Sequence, residues 1–268
     1  MSTSDSADNS LIDGGTHDVL VIGGGVSGLM AATFTARAGL DTIVVNDGES
    51  ILRRNAHVEN LPGFPAGVNP RLFADMLQAQ ATGNGADHVS GTVTELTGSL
   101  KEGFTAMVET EHATSKLNAD RVIISSWSDV SYLSSLPVDI RDAGSKQYIE
   151  TDALGRSTVD GIYAAGRLTE KYHQAVIAAG DGAETAITLI HDSETPFYND
   201  WVTPEGYFTD RGRDIPPGCE EISATEQRAR EQASMAAMQE YFKEPHSDRQ
   251  RTHPSLSDDP LGRVPTDE

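Results

Sequence analysis

The chain has 268 residues, of which 41 are acidic and 20 are basic, so its formal net charge is −21 at pH 7. This surplus of negative charge excludes nucleic acid and anionic membrane as partners, because phosphate binding depends on positive charge. The basic residues are five lysines and 15 arginines, and the acids are spread along the whole chain rather than gathered for a basic partner. Such an acidic, lysine-poor surface is typical of a halophilic cytosolic protein, since high salt screens its self-repulsion.

The sequence shows no sign of a targeting signal, a membrane span, a disulfide or a metal site. Its first 15 residues are polar and acidic without an apolar core, and no apolar run approaches the about 20 residues of a membrane span. The lone Cys219 cannot form an intramolecular disulfide, and the eight histidines lack metal-ligand spacing. We therefore expect a cytoplasmic protein without a bound metal.

The first predicted elements alternate between strands and helices. Residues 17–22 and 41–45 are apolar runs typical of buried parallel strands, and residues 26–38 have helical periodicity up to Gly39, a C-cap signal. After a loop rich in Pro, Gly and Asn, residues 70–84 are predicted to form an amphipathic helix. This alternation indicates an α/β fold of the Rossmann-like type, with a doubly wound parallel sheet.

The next elements change period. Between residues 86 and 117 the apolar spacing is closer to two, which predicts a strand followed by a small antiparallel β-meander. The run "ADRVIISSW" predicts another buried parallel strand, and "GRSTVDGIYAAGRL" contains the last core strand before a helix over residues 174–190. The parallel sheet and the meander are thus predicted to form one domain.

Two terminal segments differ in composition from this domain. Residues 1–16 are predicted to be a disordered leader, and residues 193–268 an irregular C-terminal extension, partly draped over the domain. In the extension, "SATEQ" is a capping-box pattern before a predicted helix over about residues 225–242. The last 25 or so residues are predicted to be disordered.

The turn after the first strand has the spacing of a dinucleotide-binding fingerprint. Gly23 allows the tight turn, Gly25 allows a pyrophosphate to approach the backbone, and Gly28 allows the helix to pack closely on the strand. Amides at the helix N-terminus then face the phosphates. Asn46 and Asp47 stand at the end of the second strand, where an acidic residue usually binds ribose, and we expect one of them to do so.

Three segments in the same order resemble the FAD half of low-molecular-weight thioredoxin reductases. They are "VIGGGVSGLMAATFTARAGLDTIVV", "HVENLPGFPAGVNPRLFADMLQAQATGNGADHVSGTV" and "GRSTVDGIYAAGRLTEKYHQAVIAAGDGAETAI". The resemblance implies an FAD/NAD(P)-binding domain over residues 17–192, with FAD as the cofactor and its pyrophosphate on the glycine turn. It also implies a homodimer, because members of that family pair through their FAD domains.

The resemblance also assigns cofactor contacts. It places Glu59 and Asn60 in the loop beside the isoalloxazine, and Gln174 and Ala175 at a helix start whose amides would stabilise negative charge on the reduced flavin. The full set of expected cofactor-binding residues is Gly23, Gly25, Val26, Ser27, Gly28, Asn46, Asp47, Glu59, Asn60, Val93, Ser125, Gly166, Arg167, Gln174 and Ala175.

Three departures from the family pattern limit what the resemblance implies. The strand that ends in Ala-Thr-Gly in the family is followed here by Ser125, Ser126 and Trp127. The family's Gly-Asp pair is Gly166–Arg167, whose guanidinium either clasps a phosphate or pairs with an acidic surface group. About 20 residues occupy the place of the NADPH domain and its Cys-x-x-Cys pair, fewer than the about 30 of a βαβ unit. We therefore predict that the usual disulfide relay is absent.

Two functional hypotheses follow. The first is an FAD-dependent oxidoreductase that uses a separate electron donor or small-molecule substrate. No catalytic residue is assigned; His57 and His173 flank the expected flavin loops and are candidates for an acid–base role. The second is a degenerate, non-catalytic FAD- or nucleotide-binding scaffold or sensor. A plain NAD-binding module is a weaker third hypothesis, because it leaves the flavin-end motifs unexplained.

Overall fold

The structure is a computed structural model that describes residues 15–248 apart from residues 128 and 145. Most of the predicted disordered leader and of the predicted disordered end lies outside these residues. Thr16, which the predicted leader included, is instead the first residue of the first strand.

A mixed seven-stranded sheet forms the centre of the fold. Its strands are β1 (Thr16–Ile22), β2 (Thr42–Asn46), β3 (Asp87–Ser90), β4 (Thr92–Ser99), β5 (Gly103–Glu109), β6 (Thr114–Ile124) and β9 (Ile162–Ala164). The parallel part has the order β3–β2–β1–β6–β9. Strands β4 and β5 pair antiparallel with each other and with β6, which confirms the predicted meander.

Strand β6 belongs to both parts of the sheet. The sequence predicts the end of the meander and the third parallel strand as separate elements, but they are one strand of 11 residues. Its first half pairs with β5, and its second half pairs with β1 and β9. Burial alternates in the first half and becomes continuous over residues 122–124, where both faces of the sheet are covered. Because the burial period changes within β6, the sequence pattern does not reveal that residues 114–124 form one strand.

Four helices occur in the described part of the chain, and all were predicted. They are α1 (Val26–Arg37), α2 (Pro70–Gly83), α3 (Ala175–Asp192) and α4 (Ala224–Tyr241). Their starts were predictable because the sequence carries local signals, such as Pro70 after the cap Asn69 and the capping residue Ser223 before α4. None of them combines the length and the apolar character needed to cross a membrane.

The hydrophobic core has two parts, one on each face of the sheet. Val19, Val21 and Val44 pack with apolar residues of α1, α2 and α3 on one face. Leu20 and Ile43, which point the other way because strand side chains alternate, pack with the meander on the opposite face. A doubly wound sheet would carry helices on both faces, whereas here the three helices share one face and the meander covers the other.

The C-terminal extension is more ordered than the sequence predicts. Two short strands, β10 (Trp201–Pro204) and β11 (Cys219–Ile222), pair in parallel. Phe208 lies between them in sequence and is buried. The extension is joined to the domain by a bidentate ion pair, in which Arg37 Nε and Nη2 lie 2.6 and 2.7 Å from the carboxylate oxygens of Asp200.

Helix α4 has no buried residue. The chain returns to the domain directly after it. There the ring of Phe242 lies 6.2 Å from that of Phe64, centroid to centroid, and His246 Nε2 lies 2.8 Å from Asp75 Oδ2. The predicted helix is therefore exposed, while both ends of the segment that carries it are attached.

Close packing of α1 and α3 gives a first prediction. A Cβ added to Gly182 would overlap the carbonyl oxygen of Ser27 on the facing helix, whereas a Cβ at Gly180 would meet nothing within 4 Å. We expect Gly182→Ala to lower the free energy of unfolding by about 1–3 kcal/mol, because the Ser27 atoms that the new Cβ would meet belong to the backbone and cannot rotate away. The matched control Gly180→Ala should raise it by about 0.5–1 kcal/mol through helix propensity. Urea unfolding measures both; equal effects would contradict the packing.

Glu221 organises the loop between β10 and β11. Its carboxylate accepts hydrogen bonds from the backbone amides of Gly206 at 2.9 Å and Thr209 at 3.0 Å, and from that of Phe208. Desolvation favours a higher pKa for Glu221, but these hydrogen bonds outweigh it and lower the pKa to about 2.

This depressed pKa gives a second prediction. The ionised Glu221 stabilises the loop above its unfolded-state pKa of about 4.5, and that contribution is lost as the pH falls toward about 2. Fluorescence of Trp201, recorded in a Trp127→Phe background, should therefore change over this range. In Glu221→Gln the loop should be loosened at neutral pH already, and the acid transition should be absent. An unchanged acid transition in Glu221→Gln would assign it to another group.

Candidate cofactor site

Three strands end side by side at the carboxyl edge of the sheet. Ser125 N donates a hydrogen bond to Ile22 O over 2.8 Å, and Ala165 N donates to Ile124 O over 2.9 Å. The segments that follow β1, β6 and β9 therefore lie next to one another. Three of the predicted site segments, which are distant in the sequence, meet at this edge, where parallel sheets generally bind ligands.

The three glycines of the fingerprint have different roles. Gly23 has a φ of +112°, and a Cβ there would lie 2.5 Å from Ser125 O. A Cβ on Gly28 would overlap Gly23 O. Gly25 has a φ of −80°, open to any residue, and its Cβ would meet only Ser50 Oγ, at 3.9 Å. The fold thus requires glycine at positions 23 and 28, whereas position 25 faces open space that a ligand can use.

The N-termini of α1 and α3 are left without caps. Their N-cap residues, Gly25 and Gln174, make no side-chain capping hydrogen bond, and neither first turn contains an acidic residue. By contrast, α2 is capped by Asn69 and α4 by Ser223. The first amides of α1 and α3 are consequently available to a ligand, and the helix dipoles favour a negatively charged one.

Close backbone contacts hold these two helix starts in place. Ser27, in the first turn of α1, lies against Gly182 of α3 and against Gly166 after β9. A Cβ at Gly166, whose φ is +80°, would lie 2.9 Å from Ser27 Cβ. Ser27 Oγ is buried without a hydrogen-bond partner among the described residues. The neighbouring Val26 is the first helical residue of α1 and offers its amide beside Gly25.

The loop predicted to lie beside the flavin reaches the start of α3. Asn60 Nδ2 donates to Gln174 Oε1 over 2.5 Å, and the loop is closed by a bridge between Val58 and Val68. Glu59, Asn60 and Gln174 are exposed, and Ala175 is half-buried. The structure therefore brings together two motifs that are 114 residues apart.

At the end of β2, the candidate ribose ligands are engaged with the protein. Asn46 Oδ1 accepts a hydrogen bond from Gly24 N, and Asn46 Nδ2 donates to Gly48 O, both over 2.8 Å. Asp47 is exposed and accepts from the hydroxyl of Thr92 over 2.8 Å. Asn46 thus stabilises the glycine turn, and ribose binding by either residue stays a prediction.

Val93 is buried in the core, so it can offer a cofactor its backbone alone.

Arg167 has a partner that the sequence did not suggest. Its Nη2 donates to the hydroxyl of Tyr148 over 2.7 Å, and its guanidinium lies 5.0 Å from the centre of that ring. This contact engages one amino group of Arg167, and both alternatives, a phosphate and an acidic surface group, stay predictions. Asp181, which sequence reasoning missed, accepts a hydrogen bond from Gly166 N over 2.5 Å. The signal was present in "AAGDG", where Asp181 lies nearly two turns after the start of α3.

The two candidate histidines differ in their surroundings. His57 Nε2 lies 3.1 Å from Ala66 O in its own loop, which favours a structural role. His173 lies edge-on to Trp127, with 5.1 Å between ring centroids. Partial desolvation, and then the charges of Arg167 and Lys146, lower the pKa of His173. This lowered pKa favours the neutral form of the His173 imidazole.

An exposed apolar surface surrounds the start of α3. Trp127, Tyr172, Val176 and Ile177 are exposed by 37–82% and lie on both sides of Gln174. Large apolar side chains grouped in this way typically mark a binding surface. The fold and the site together define a dinucleotide-binding α/β domain with an open, partly apolar face.

Comparisons with known proteins agree with this class. The family model for pyridine nucleotide-disulphide oxidoreductases matches residues 2–182. The chain therefore belongs to the pyridine nucleotide-disulphide oxidoreductase family, whose flavin chemistry agrees with the resemblance drawn from the sequence.

Curated relatives include thioredoxin reductases. The chain is 30% identical over 204 residues to a bifunctional thioredoxin reductase/thioredoxin of Mycobacterium leprae, covering 71% of this chain and 40% of that one. It is 38% identical over 82 residues to the thioredoxin reductase of Listeria monocytogenes, covering 30% of this chain and 25% of that protein. The matched regions thus span less than half of these relatives.

Solved structures show the same fold. An oxidoreductase from Agrobacterium tumefaciens has a TM-score of 0.59 at 15% identity, covering 66% of this chain and 98% of that chain. A thioredoxin reductase from Lactococcus lactis has a TM-score of 0.58 at 15% identity, covering 65% and 98%. At this identity the likeness concerns the fold alone.

The contrast among the glycines gives a third prediction. Gly25→Val should leave the unliganded protein folded, because its backbone conformation is open to any residue and the added side chain meets open space. It should nevertheless abolish FAD uptake, because the side chain fills the space that a diphosphate needs. Fluorescence titration with FAD measures binding, and thermal melting checks the fold. Gly180→Val, at an exposed position of α3, is the control and should bind normally; full FAD occupancy in Gly25→Val would refute the placement.

Proposed function

We propose that this protein binds FAD and acts as an oxidoreductase of the thioredoxin reductase-like type. The observation that supports it best is the pair of uncapped helix N-termini, α1 and α3, at one edge of the sheet. A diphosphate fits the first and the negatively charged end of a flavin ring fits the second. Family membership and the open position at Gly25 agree with this assignment.

The chain's residues would bind and orient the cofactor. Amides of Val26 and Ser27 would hold the diphosphate, and amides at Ala175 would face the flavin. Asn60, fixed by its hydrogen bond to Gln174, would position the loop against the ring. The bound flavin would supply the redox chemistry, and the protein the binding and the electrostatics.

The electron donor is proposed to be a separate molecule. By resemblance, residues 128–147 occupy the place of the NADPH domain. Their described part contains a short 3₁₀ turn and the strand β7 (Ile140–Asp142), which pairs with the following β8 (Gln147–Ile149). Such a hairpin lacks the βαβ unit that binds a second nucleotide. The single Cys219 lies in the extension, with Sγ 3.5 Å from Asn199 O. We therefore propose that the usual disulfide relay does not operate.

A homodimer and an apolar partner surface are part of the proposal. The exposed residues around α3, Val176 and Ile177 among them, would form either the face between two subunits or the approach for a small substrate. The chain matches less than half the length of these curated relatives. The homodimer is therefore proposed for this chain and is not inferred from the assembly of the relatives.

The alternative function is a nucleotide-binding scaffold or sensor without catalysis. The hydrogen bonds of Asn46 to Gly24 and Gly48, and of Arg167 to Tyr148, favour it, because these polar groups are engaged with protein partners. A protein that had lost its cofactor would retain such contacts for packing.

The fourth prediction concerns the colour of the purified protein. The colour distinguishes an FAD-dependent oxidoreductase from a scaffold without a cofactor. Protein purified in high salt should be yellow, with the absorbance bands of oxidised flavin, and should release FAD on denaturation. Dithionite should bleach it and NADPH should not. Direct bleaching by NADPH would contradict the proposal that the electron donor is a molecule other than NADPH. A colourless protein that takes up no added FAD would support the scaffold instead.

A further inference from the structure

Three ligand-type side chains meet at the edge of the sheet opposite the cofactor site. They are His17 in β1, Asp41 just before β2, and Asp87 at the start of β3. Each offers one ligand atom, and these atoms all lie within 4.8 Å of one another. His17 Nδ1 lies 3.1 Å from Asp41 Oδ1, a separation that suits either a hydrogen bond or two ligands of one ion.

The sheet topology creates this cluster. Strands β1, β2 and β3 are parallel neighbours, with Val19 opposite Thr42 and Ile43 opposite Asp87. Their first residues therefore lie at one edge, although they are far apart along the chain. A spacing rule applied to the sequence cannot detect such a site, which is why the sequence predicted no metal.

Burial distinguishes this cluster from the many surface acids of the chain. His17 is 7% exposed, Asp87 is half-buried and Asp41 is exposed. The imidazole forms the base of the cluster and the carboxylates its open side. An ion could enter past Asp41 and be held by groups at the starts of three neighbouring strands.

We propose that His17, Asp41 and Asp87 bind one divalent transition-metal ion, Zn²⁺ or Mn²⁺. One imidazole nitrogen and two carboxylates form a mixed N/O set that suits these ions, whereas Ca²⁺ and Mg²⁺ prefer oxygen ligands alone. Water would complete the coordination.

The ion would have a structural role. Gly23 lies six positions after His17 along β1, which at about 3.3 Å per position is about 20 Å. This distance excludes contact with the proposed flavin, so the site is independent of the proposed function. The ion would instead join the starts of three neighbouring strands.

Calorimetry on the 268-residue chain tests the site. Titrations with ZnCl₂ and with MnCl₂ are run in about 1 M KCl, where the Debye length of about 3 Å suppresses diffuse binding to the acidic surface. The wild type should bind one ion. Asp87→Asn should lose more affinity than the about 10–100-fold that follows loss of an outer-shell partner. Asp120→Asn is the matched control, since Asp120 is exposed at the same edge, next to Ala119 opposite His17, and lies outside the cluster. Its affinity should be unchanged.

A spectroscopic readout identifies the ligands directly. Pulsed EPR of bound Mn²⁺ should show coupling to an imidazole nitrogen, and His17→Gln should abolish it. Circular dichroism checks that the variants fold, and Asp41→Asn, at an exposed position, provides a second ligand variant should His17→Gln unfold. Absence of saturable binding, or wild-type affinity in both Asp87→Asn and Asp41→Asn, would overturn the proposal.

Discussion

The structure depends on a backbone contact between two helices, α1 and α3. Position 182 has no side chain, so α3 can approach the carbonyl of Ser27, and Gly166, just after β9, lies against Cβ and Oγ of the same serine. These contacts place the start of α1 and the segment leading into α3 at one edge of the sheet. Because α3 approaches α1 through main-chain atoms, the geometry of that contact is fixed by the fold rather than by side-chain rotamers. A ligand with two anionic ends would therefore meet two prearranged groups of amides.

Local signals in the sequence were sufficient for the elements of this arrangement. The helix starts follow from Pro70 after Asn69 and from Ser223 with its capping box, and the glycine turn follows from its spacing between a strand and a helix. Each of these features is determined within a few residues, so it is legible without knowledge of the fold. Strand β6 was divided in two because its burial pattern depends on two different sets of neighbours along its length.

Contacts between distant residues were predictable only where a family pattern carried them. The proximity of Asn60 and Gln174 followed from the resemblance, since both belong to motifs at the flavin end. Tyr148 belongs to no such motif, and Asp181 lies in the third resembling segment without an assigned role. Their hydrogen bonds to Arg167 and Gly166 depend on where a hairpin and a helix turn lie in space. The same holds for the three strand starts that assemble around His17. Spacing along the chain contains no information about these pairs.

The chain has a net charge of −21, yet the first turns of α1 and α3 contain no acidic residue. With 41 acidic and 20 basic residues, the surface as a whole repels a diphosphate. Neither α1 nor α3 has an acid in its first turn, and Arg167 and Lys146 lie close enough to His173 to lower its pKa. At about 1 M salt the Debye length is about 3 Å, so distant charges are screened while amides in direct contact with a ligand are not. An anionic cofactor held mainly by backbone amides would therefore be retained at a salt concentration that removes the repulsion of the surrounding surface.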